Sequence, residues 1–177
     1  MHRVNTRKQQ NIRMKPMNYL FILLISLLSC KMENPVKFSK EALQDTFLTL
    51  NDESLTFKEI LKTHKGKTIV IDVWASWCGD CLRGMPKVKT LQETYPDATF
   101  IFLSLDRSEE SWKRGIEKYN VEGEHYYMQS GRKGDFGSFL DLDWIPRYLV
   151  VDKNGKIALF KAVLADDERI IEKLTIN

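Results

Sequence analysis

The sequence predicts an α/β domain with a mixed sheet, and three observations support this prediction. Two apolar, β-branched runs at 69–74 and 99–105 have the composition of strands buried on both faces. Between them, apolar residues recur every three positions over 81–95, as on one face of a helix. Strand, helix and strand in this order form a parallel, right-handed unit. Residues 147–160 add an antiparallel hairpin with an Asn-Gly turn.

The size and charge of the chain limit its organisation and its partners. At 177 residues, with 43% hydrophobic and 29% charged, it has room for one domain with a proper core. The net charge of +3 comes from the segment before Cys30, which is basic and has no acidic residue. The remaining chain has 22 basic and 24 acidic residues without a basic stripe, so no nucleic acid partner is predicted.

The first 29 residues have the pattern of a signal peptide. Basic residues precede a short apolar run at 19–28, and the small residue Ser29 follows it. Ten residues of helix rise about 15 Å, half the thickness of the hydrocarbon layer, so a membrane-spanning helix is the weaker interpretation. The segment therefore predicts export. A start of translation at Met14 or Met17 would give a more ordinary signal peptide.

The end of this segment predicts a membrane anchor. The letters LLSC at 27–30 resemble the lipobox of bacterial lipoproteins. That resemblance implies cleavage before Cys30, a diacylglycerol on its sulfur and acylation of its new amino group, which together hold a protein on a membrane. A simple secreted protein or an uncleaved anchor is the alternative. Residues 30–40 predict a lipidated tether, and 41–177 predict the domain.

Capping and turn signals predict the remaining elements. Residues 108–119 predict a helix with two glutamates in its first turn, and a short strand follows at 125–128. The stretch 131–143 is rich in glycine and charge and predicts a surface loop with a short helix at 136–140. Residues 166–174 predict a closing helix.

Cys78 and Cys81 form the motif that carries chemistry. They lie where a predicted strand passes into a helix, so unpaired N–H groups of the helix favour a thiolate at the first sulfur. Their spacing also brings the Cα atoms within reach of a disulfide. Half of a zinc site is the alternative, but it needs two more ligands, and His64 and His125 are not in a second paired spacing. The prediction is a redox pair without metal or cofactor.

The residues around this motif carry a family resemblance. Residues 71–81, IDVWASWCGDC, resemble the thioredoxin active-site segment, and Pro86 falls where that family kinks its active-site helix. Residues 144–147, WIPR, precede the hairpin and resemble the family's cis-proline loop. The chain is therefore identified as a member of the thioredoxin-like superfamily. This implies a three-layer α/β/α fold with a mixed central sheet and a cis-proline loop.

The resemblance also implies catalytic roles. Cys78 would be the exposed attacking sulfur, and Cys81 the more buried sulfur that resolves the mixed disulfide. Asp72, in the strand beneath, would accept the proton of Cys81. A structural aspartate with satisfied hydrogen bonds is the alternative for Asp72, although burial alone disfavours its charge.

Substrate-binding roles follow in the same way. Pro146 would face Cys78 through a cis bond and leave the backbone of Ile145 free to pair with an extended substrate. A proline that simply begins a strand is the alternative. Trp77 would offer a flat apolar contact beside the nucleophile, whereas Trp74 is predicted to serve packing.

Within the superfamily, the signal segment and the Trp-Cys-x-x-Cys pattern resemble the TlpA-like branch. Its members are membrane-held, extracytoplasmic thioredoxins that reduce disulfides of exported proteins, and some prepare apocytochrome c for haem. That branch usually has a glutamate where this chain has Gly84, and it often lacks an acid at the position of Asp72. A general reductant is therefore predicted, with exported disulfide substrates, a membrane or periplasmic dithiol donor, and a lipid anchor facing the periplasm of a Gram-negative bacterium.

Two other functions are weighed against this one. A peroxidase of the same fold needs a threonine where this chain has Ala75. A membrane-anchored peptide-binding module without redox turnover would need neither cysteine. Asp80, in place of the proline of thioredoxin, opposes thiolate formation at Cys78, and we expect a reducing couple nearer about −270 mV than about −120 mV.

Overall fold

The structure is a computed structural model and describes residues 34–176. Seven strands and six α-helices lie within this range, with one 3₁₀-helix at Gly131–Lys133. In chain order they are α1 (Lys40–Gln44), β1 (Thr46–Thr49), β2 (Ser54–Thr56), α2 (Phe57–Thr63), β3 (Ile69–Trp74), α3 (Gly79–Thr94), β4 (Thr99–Ser104), α4 (Glu109–Tyr119), β5 (Glu124–Met128), α5 (Asp135–Phe139), β6 (Arg147–Val151), β7 (Ile157–Ala162) and α6 (Glu168–Ile176).

The strands form one mixed sheet in the order β2-β1-β5-β4-β3-β6-β7. Strands β3, β4 and β5 are parallel, and β1, β2, β6 and β7 pair with their neighbours in antiparallel fashion. All residues of β3 are buried, as expected for a central, β-branched strand covered on both faces. The predicted parallel unit and the C-terminal hairpin are thereby confirmed.

Helices cover both faces of the sheet and make three layers. On one face, Phe47 of β1 contacts Phe57 of α2 and Phe136 of α5, with ring centroids 5.7 and 5.4 Å away. On the other face, Tyr127 of β5 stacks on Trp112 of α4. Helix α3 lies on this second face too, because β3-α3-β4 and β4-α4-β5 are right-handed crossovers in the same direction. The predicted three-layer α/β/α fold is confirmed.

Local signals explain where the helices begin. The side chain of Ser108 accepts a hydrogen bond from the backbone N–H of Ser111 and caps α4. Thr56 and Glu59 form a reciprocal capping box at the start of α2. Helix α3 contains Pro86.

The stretch 131–143 differs from the predicted surface loop. The predicted short helix is present as α5, but Phe136 and Leu140 are completely buried. Phe136 also packs against Phe57, with 4.5 Å between ring centroids. Its glycines allow close packing rather than exposure, since a Cβ at Gly137 would overlap the backbone of Arg132. Four of the thirteen residues of this stretch are therefore buried.

Packing also reaches into the segment predicted as a tether. Phe38 is buried, and its ring lies 4.8 Å from that of Phe57. The backbone N–H of Ile157 donates a 3.0 Å hydrogen bond to the carbonyl of Val36. Contacts of the domain thus begin before the predicted start at residue 41. The predicted signal peptide and Cys30 lie outside the described residues, and within 34–176 none of the helices is long and apolar enough to cross a membrane.

Candidate redox-active site

Cys78 and Cys81 lie where β3 leads into α3 and are joined by a disulfide with 5.3 Å between Cα atoms. Cys78 is the N-cap of α3, and its Sγ accepts a hydrogen bond from the backbone N–H of Cys81 at 3.1 Å. The side chain of Cys78 is 6% exposed and that of Cys81 is completely buried. An N–H donor and the positive end of a helix at this sulfur both stabilise a thiolate once the disulfide is open.

The loop that contains Pro146 faces this disulfide. The Ile145–Pro146 peptide bond is cis, as the resemblance predicted. The carbonyl oxygen of Ile145 lies 3.7 Å from the Sγ of Cys78. The structure therefore brings these two residues directly against the outer sulfur.

Two tryptophans border the site at the surface. Trp77, which precedes Cys78, is 50% exposed, and Trp144 of the Pro146 loop is 57% exposed. Trp74 is completely buried and makes an edge contact with Phe102, so its predicted packing role is confirmed. Sequence reasoning assigned no role to Trp144, although its place two residues before Pro146 is a usable signal.

A groove beside Pro146 leads from the surface toward α3. It has a volume of ≈ 710 Å³ and combines apolar side chains with charged ones. The charged side chains are neutralised in the ion pairs Asp80–Arg83, Lys87–Asp166 and Asp143–Arg147. Val163 and Leu164, after β7, supply exposed apolar surface at its rim.

Asp72 lies in the middle of β3 and is 2% exposed. Neither of its carboxylate oxygens has a hydrogen-bond partner in the described part of the chain. Burial raises the pKa of Asp72 from 3.8 to about 8, and the Tyr148 hydroxyl opposes that rise. This carboxyl can therefore bind and release a proton near neutral pH, as the predicted proton acceptor must.

Asp106 is a second buried carboxylate near the site, and sequence reasoning did not single it out. It accepts hydrogen bonds from the backbone N–H of Ser76 at 3.1 Å, the Ser76 hydroxyl at 2.6 Å and the Ser104 hydroxyl at 2.8 Å. On the other side of Ser76 lies Gly115 of α4, where a Cβ would overlap the Cβ of Ser76. The loop that leads to Cys78 is thus held on two sides.

The contacts described for His125 do not involve the disulfide. The Nε2 of His125 lies 2.8 Å from the carbonyl of Val121, and its ring stacks on Phe102. Within residues 34–176, no group of three or more His, Cys, Asp or Glu side chains is placed to hold a metal ion.

Comparisons with known proteins agree with this site. Residues 66–157 match a family model described as thioredoxin-like. The solution structure of a proposed thiol-disulfide oxidoreductase from Bacteroides vulgatus superposes with a TM-score of 0.64 at 30% identity, over 84% of this chain and 92% of that chain. Thiol-disulfide oxidoreductase ResA of Bacillus thuringiensis is 22% identical over 158 residues, 81% of this chain and 87% of the relative. Thioredoxin-like protein YneN of Bacillus subtilis is 25% identical over 131 residues, 72% of each chain.

Proposed function

Because the chain belongs to the thioredoxin-like family and is a thiol-disulfide oxidoreductase, we propose that it reduces disulfides of exported proteins through Cys78 and Cys81. The observation that supports this proposal most strongly is the placement of the disulfide. It lies at the N-terminus of a helix, with its outer sulfur against the cis-proline loop. Cys78 is only 6% exposed, so the prediction of an exposed outer sulfur is wrong for the oxidised protein, but its sulfur lies at the cis-proline loop with the Cys81 sulfur within bonding distance.

The first step is attack by the Cys78 thiolate on a substrate disulfide. A bond forms between Cys78 and one substrate sulfur, and the second substrate sulfur leaves as a thiolate and takes a proton from water. The N–H of Cys81 and the start of α3 stabilise the Cys78 thiolate before this attack. The start of helix α3 therefore stabilises the nucleophile before the attack.

The second step releases the substrate. The Cys81 sulfur attacks Cys78, the protein disulfide forms, and the remaining substrate sulfur leaves as a thiolate. Asp72 takes the proton that Cys81 loses, since its raised pKa is close to that of a thiol. Two electrons pass to the substrate, and a dithiol donor at the membrane or in the periplasm restores the reduced pair.

Substrate segments bind across the Pro146 loop in an extended conformation. The backbone of Ile145 pairs with the substrate chain, and Trp77 and Pro146 supply apolar contact on either side of Cys78. Trp144 widens this surface, because it is half exposed on the same loop. Main-chain pairing with few side-chain pockets suits a reductase of many substrates.

The N-terminal sequence supports the proposed location. A signal peptide over 1–29 exports the chain, and acylated Cys30 holds it on a membrane facing the periplasm of a Gram-negative bacterium. Mass spectrometry of the membrane fraction tests this directly. We expect a mature N-terminus at acylated Cys30, and any other mature N-terminus contradicts the anchor.

Disulfide reduction by the purified protein tests the redox proposal. With a dithiol donor, we expect insulin reduction that is abolished in Cys78→Ser, while Cys81→Ser accumulates mixed disulfides with its substrates. Substrate binding without turnover in the unchanged protein would favour a peptide-binding module. Peroxide consumption faster than that of a free thiol would favour a peroxidase. A reduction potential above roughly −150 mV for the Cys78–Cys81 pair, measured by titration with glutathione, would contradict the proposal that the protein acts as a reductant.

A further inference from the structure

Tyr148 of β6 is the direct cross-strand neighbour of Asp72 on β3. Their side chains therefore project from the same face of the sheet, and both are almost completely buried. In the described residues, the two carboxylate oxygens and the hydroxyl have no hydrogen-bond partner other than each other. Burying three polar atoms with so few partners costs free energy, so packing alone does not account for this pair.

Tyr148 has Asp72 as its neighbour on one side and lines the groove beside Pro146 on the other. A Cβ built at Gly84, one helical turn after Cys81, would lie 3.2 Å from the Tyr148 hydroxyl. The absent side chain at this position thus makes room for the phenol beside the active-site helix. Tyr148 also lines the groove next to Pro146, together with Gly84, Lys87 and Asp166. Its hydroxyl is itself buried, beside the Gly84 backbone that forms part of the groove wall.

We propose that Tyr148 is a positioning residue that carries protons between Asp72 and the solvent in this groove, an inference that rests on the proposed redox cycle. When Cys81 attacks Cys78, its proton passes to the Asp72 carboxylate. Asp72 then gives that proton to the Tyr148 oxygen, while the Tyr148 hydroxyl releases its own proton to water that enters from the groove beside Gly84. One proton moves outward, no electrons move, and the phenol ends as it began.

The charged groups near Tyr148 are compatible with a phenol that stays neutral while it passes on a proton. Burial, and after it the facing Asp72, raises the pKa of the Tyr148 hydroxyl, so the phenol keeps its proton at neutral pH. Strand β4 places the uncharged Phe102 beside Asp72. Of the charged groups on other elements, Asp166 before α6 acts on the Tyr148 hydroxyl, and Arg83 and Lys87 of α3 line the same groove as Tyr148.

Tyr148→Phe tests this role, with Tyr126→Phe as the matched control. Tyr126 is also buried, but it pairs with Leu103, which pairs with Val73, so it projects from the opposite face of the sheet. Carbon-13 NMR of the Asp72 carboxyl gives its titration midpoint, and stopped-flow release of a substrate from Cys78 gives the rate of the second step. The rate of Cys78 alkylation as a function of pH separately reports the ionisation of the Cys78 thiol.

For Tyr148→Phe we expect the Asp72 midpoint to rise by about one pH unit, because a donor to the charged form is lost. Substrate release at pH 7 should slow about tenfold, the rate equivalent of one pH unit. The pH profile of Cys78 alkylation should stay unchanged. Tyr126→Phe should alter none of the three measurements.

An unchanged Asp72 midpoint together with an unchanged release rate in Tyr148→Phe overturns the inference. If the unsubstituted protein releases no substrate at all, the proposed function fails instead, so the two failures are distinguishable. Should Tyr148→Phe not fold, 3-fluorotyrosine at position 148 keeps the hydroxyl and makes it a stronger donor. The Asp72 midpoint should then fall, and a midpoint that does not move contradicts the proposal.

Discussion

Asp106 and Asp72 are both buried carboxylates close to the disulfide, and their surroundings are opposite. Asp106 accepts three kinds of hydrogen bond from Ser76 and Ser104. Asp72, on the neighbouring parallel strand, has no partner in the described structure other than the Tyr148 hydroxyl. A buried carboxylate with several donors can stay charged and fix a loop, whereas one with at most a single donor holds a proton. Burial by itself therefore says little about the role of an acid.

This difference gives the two carboxylates different expected roles near Cys78 and Cys81. The Asp106 side fixes the loop two residues before Cys78 and so sets the position of the nucleophile. Asp72 is a buried carboxyl whose pKa is raised to about 8, at a cost in stability, and it is the proton acceptor in the proposed mechanism. Four substitutions can break or sharpen this comparison, and their expected effects on the free energy of unfolding decrease in the order given.

Asp72→Asn should have the largest effect and should stabilise the oxidised protein. The carboxyl has a pKa of about 8 when folded and 3.8 in its ordinary state. Its contribution to stability is thus complete below the ordinary pKa and is lost as pH rises to the folded pKa, at about 1.4 kcal/mol per pH unit. At pH 8 the variant should be more stable by on the order of 4 kcal/mol.

Urea unfolding of both proteins between pH 5 and pH 8 measures this difference. The gap between variant and unsubstituted protein should widen steadily with pH. A gap that stays constant over this range would mean that Asp72 is already ionised in the fold. Redox turnover should fall in the same variant, because Asn cannot take the proton of Cys81.

Asp106→Asn makes the same chemical change with the opposite expected sign. An amide in this place turns an NH₂ group toward donors of Ser76 or Ser104 and loses charge-assisted hydrogen bonds, for a destabilisation of about 3 kcal/mol. The measurement is again urea unfolding, at pH 7. Stabilisation of both Asn variants would show that the two carboxylates do not differ as described.

Gly115→Ala should destabilise the protein by about 2 kcal/mol through overpacking. The new Cβ would overlap the Cβ of Ser76, which Asp106 holds in place from the other side. In an exposed helix the same change would stabilise by up to about 1 kcal/mol, so the sign is informative. Thermal unfolding measures it, with exposed Glu117→Ala on the same helix as the control. A stabilised Gly115→Ala would mean that the loop can move aside.

Ser104→Ala should have the smallest effect, a loss of about 1 kcal/mol. It removes one donor to Asp106 and leaves the backbone N–H of Asp106 without its side-chain acceptor. The double variant with Asp106→Asn tests whether the two residues act together. Strictly additive losses would argue against a shared network, since residues in one network couple.

The central part of the fold was predictable because its signals are local. The composition of 69–74 predicted β3 at its observed bounds, and residues 147–151 predicted β6 in the same way. Strands β1 and β2, at one end of the sheet, were not predicted, since strands of four and three residues carry too little periodicity. Helix α5 was placed, but its burial depends on rings of distant residues such as Phe57.

At the site, sequence reasoning predicted the cysteines and the placement of Asp72 in a buried strand, and the family resemblance predicted the cis bond before Pro146. Asp106 was not predicted as a site residue because its donor Ser76 is thirty residues away in sequence. Tyr148 escaped for a related reason, because its proximity to Asp72 follows from the register of β3 against β6. A strand pattern gives the face of each residue but not its cross-strand neighbour.

The hydrogen bond between Ile157 and Val36 places the start of the described chain at the end of the sheet away from the disulfide. Ile157 pairs with Val151, which lies opposite Ile69 at the start of β3, whereas Cys78 follows the far end of that strand. The length of a six-residue strand, about 20 Å, therefore separates Val36 from the reactive sulfurs. If the proposed acylation of Cys30 holds the chain on a membrane, the attachment enters the domain at the end of the sheet away from the disulfide, which leaves the two sulfurs accessible to incoming proteins.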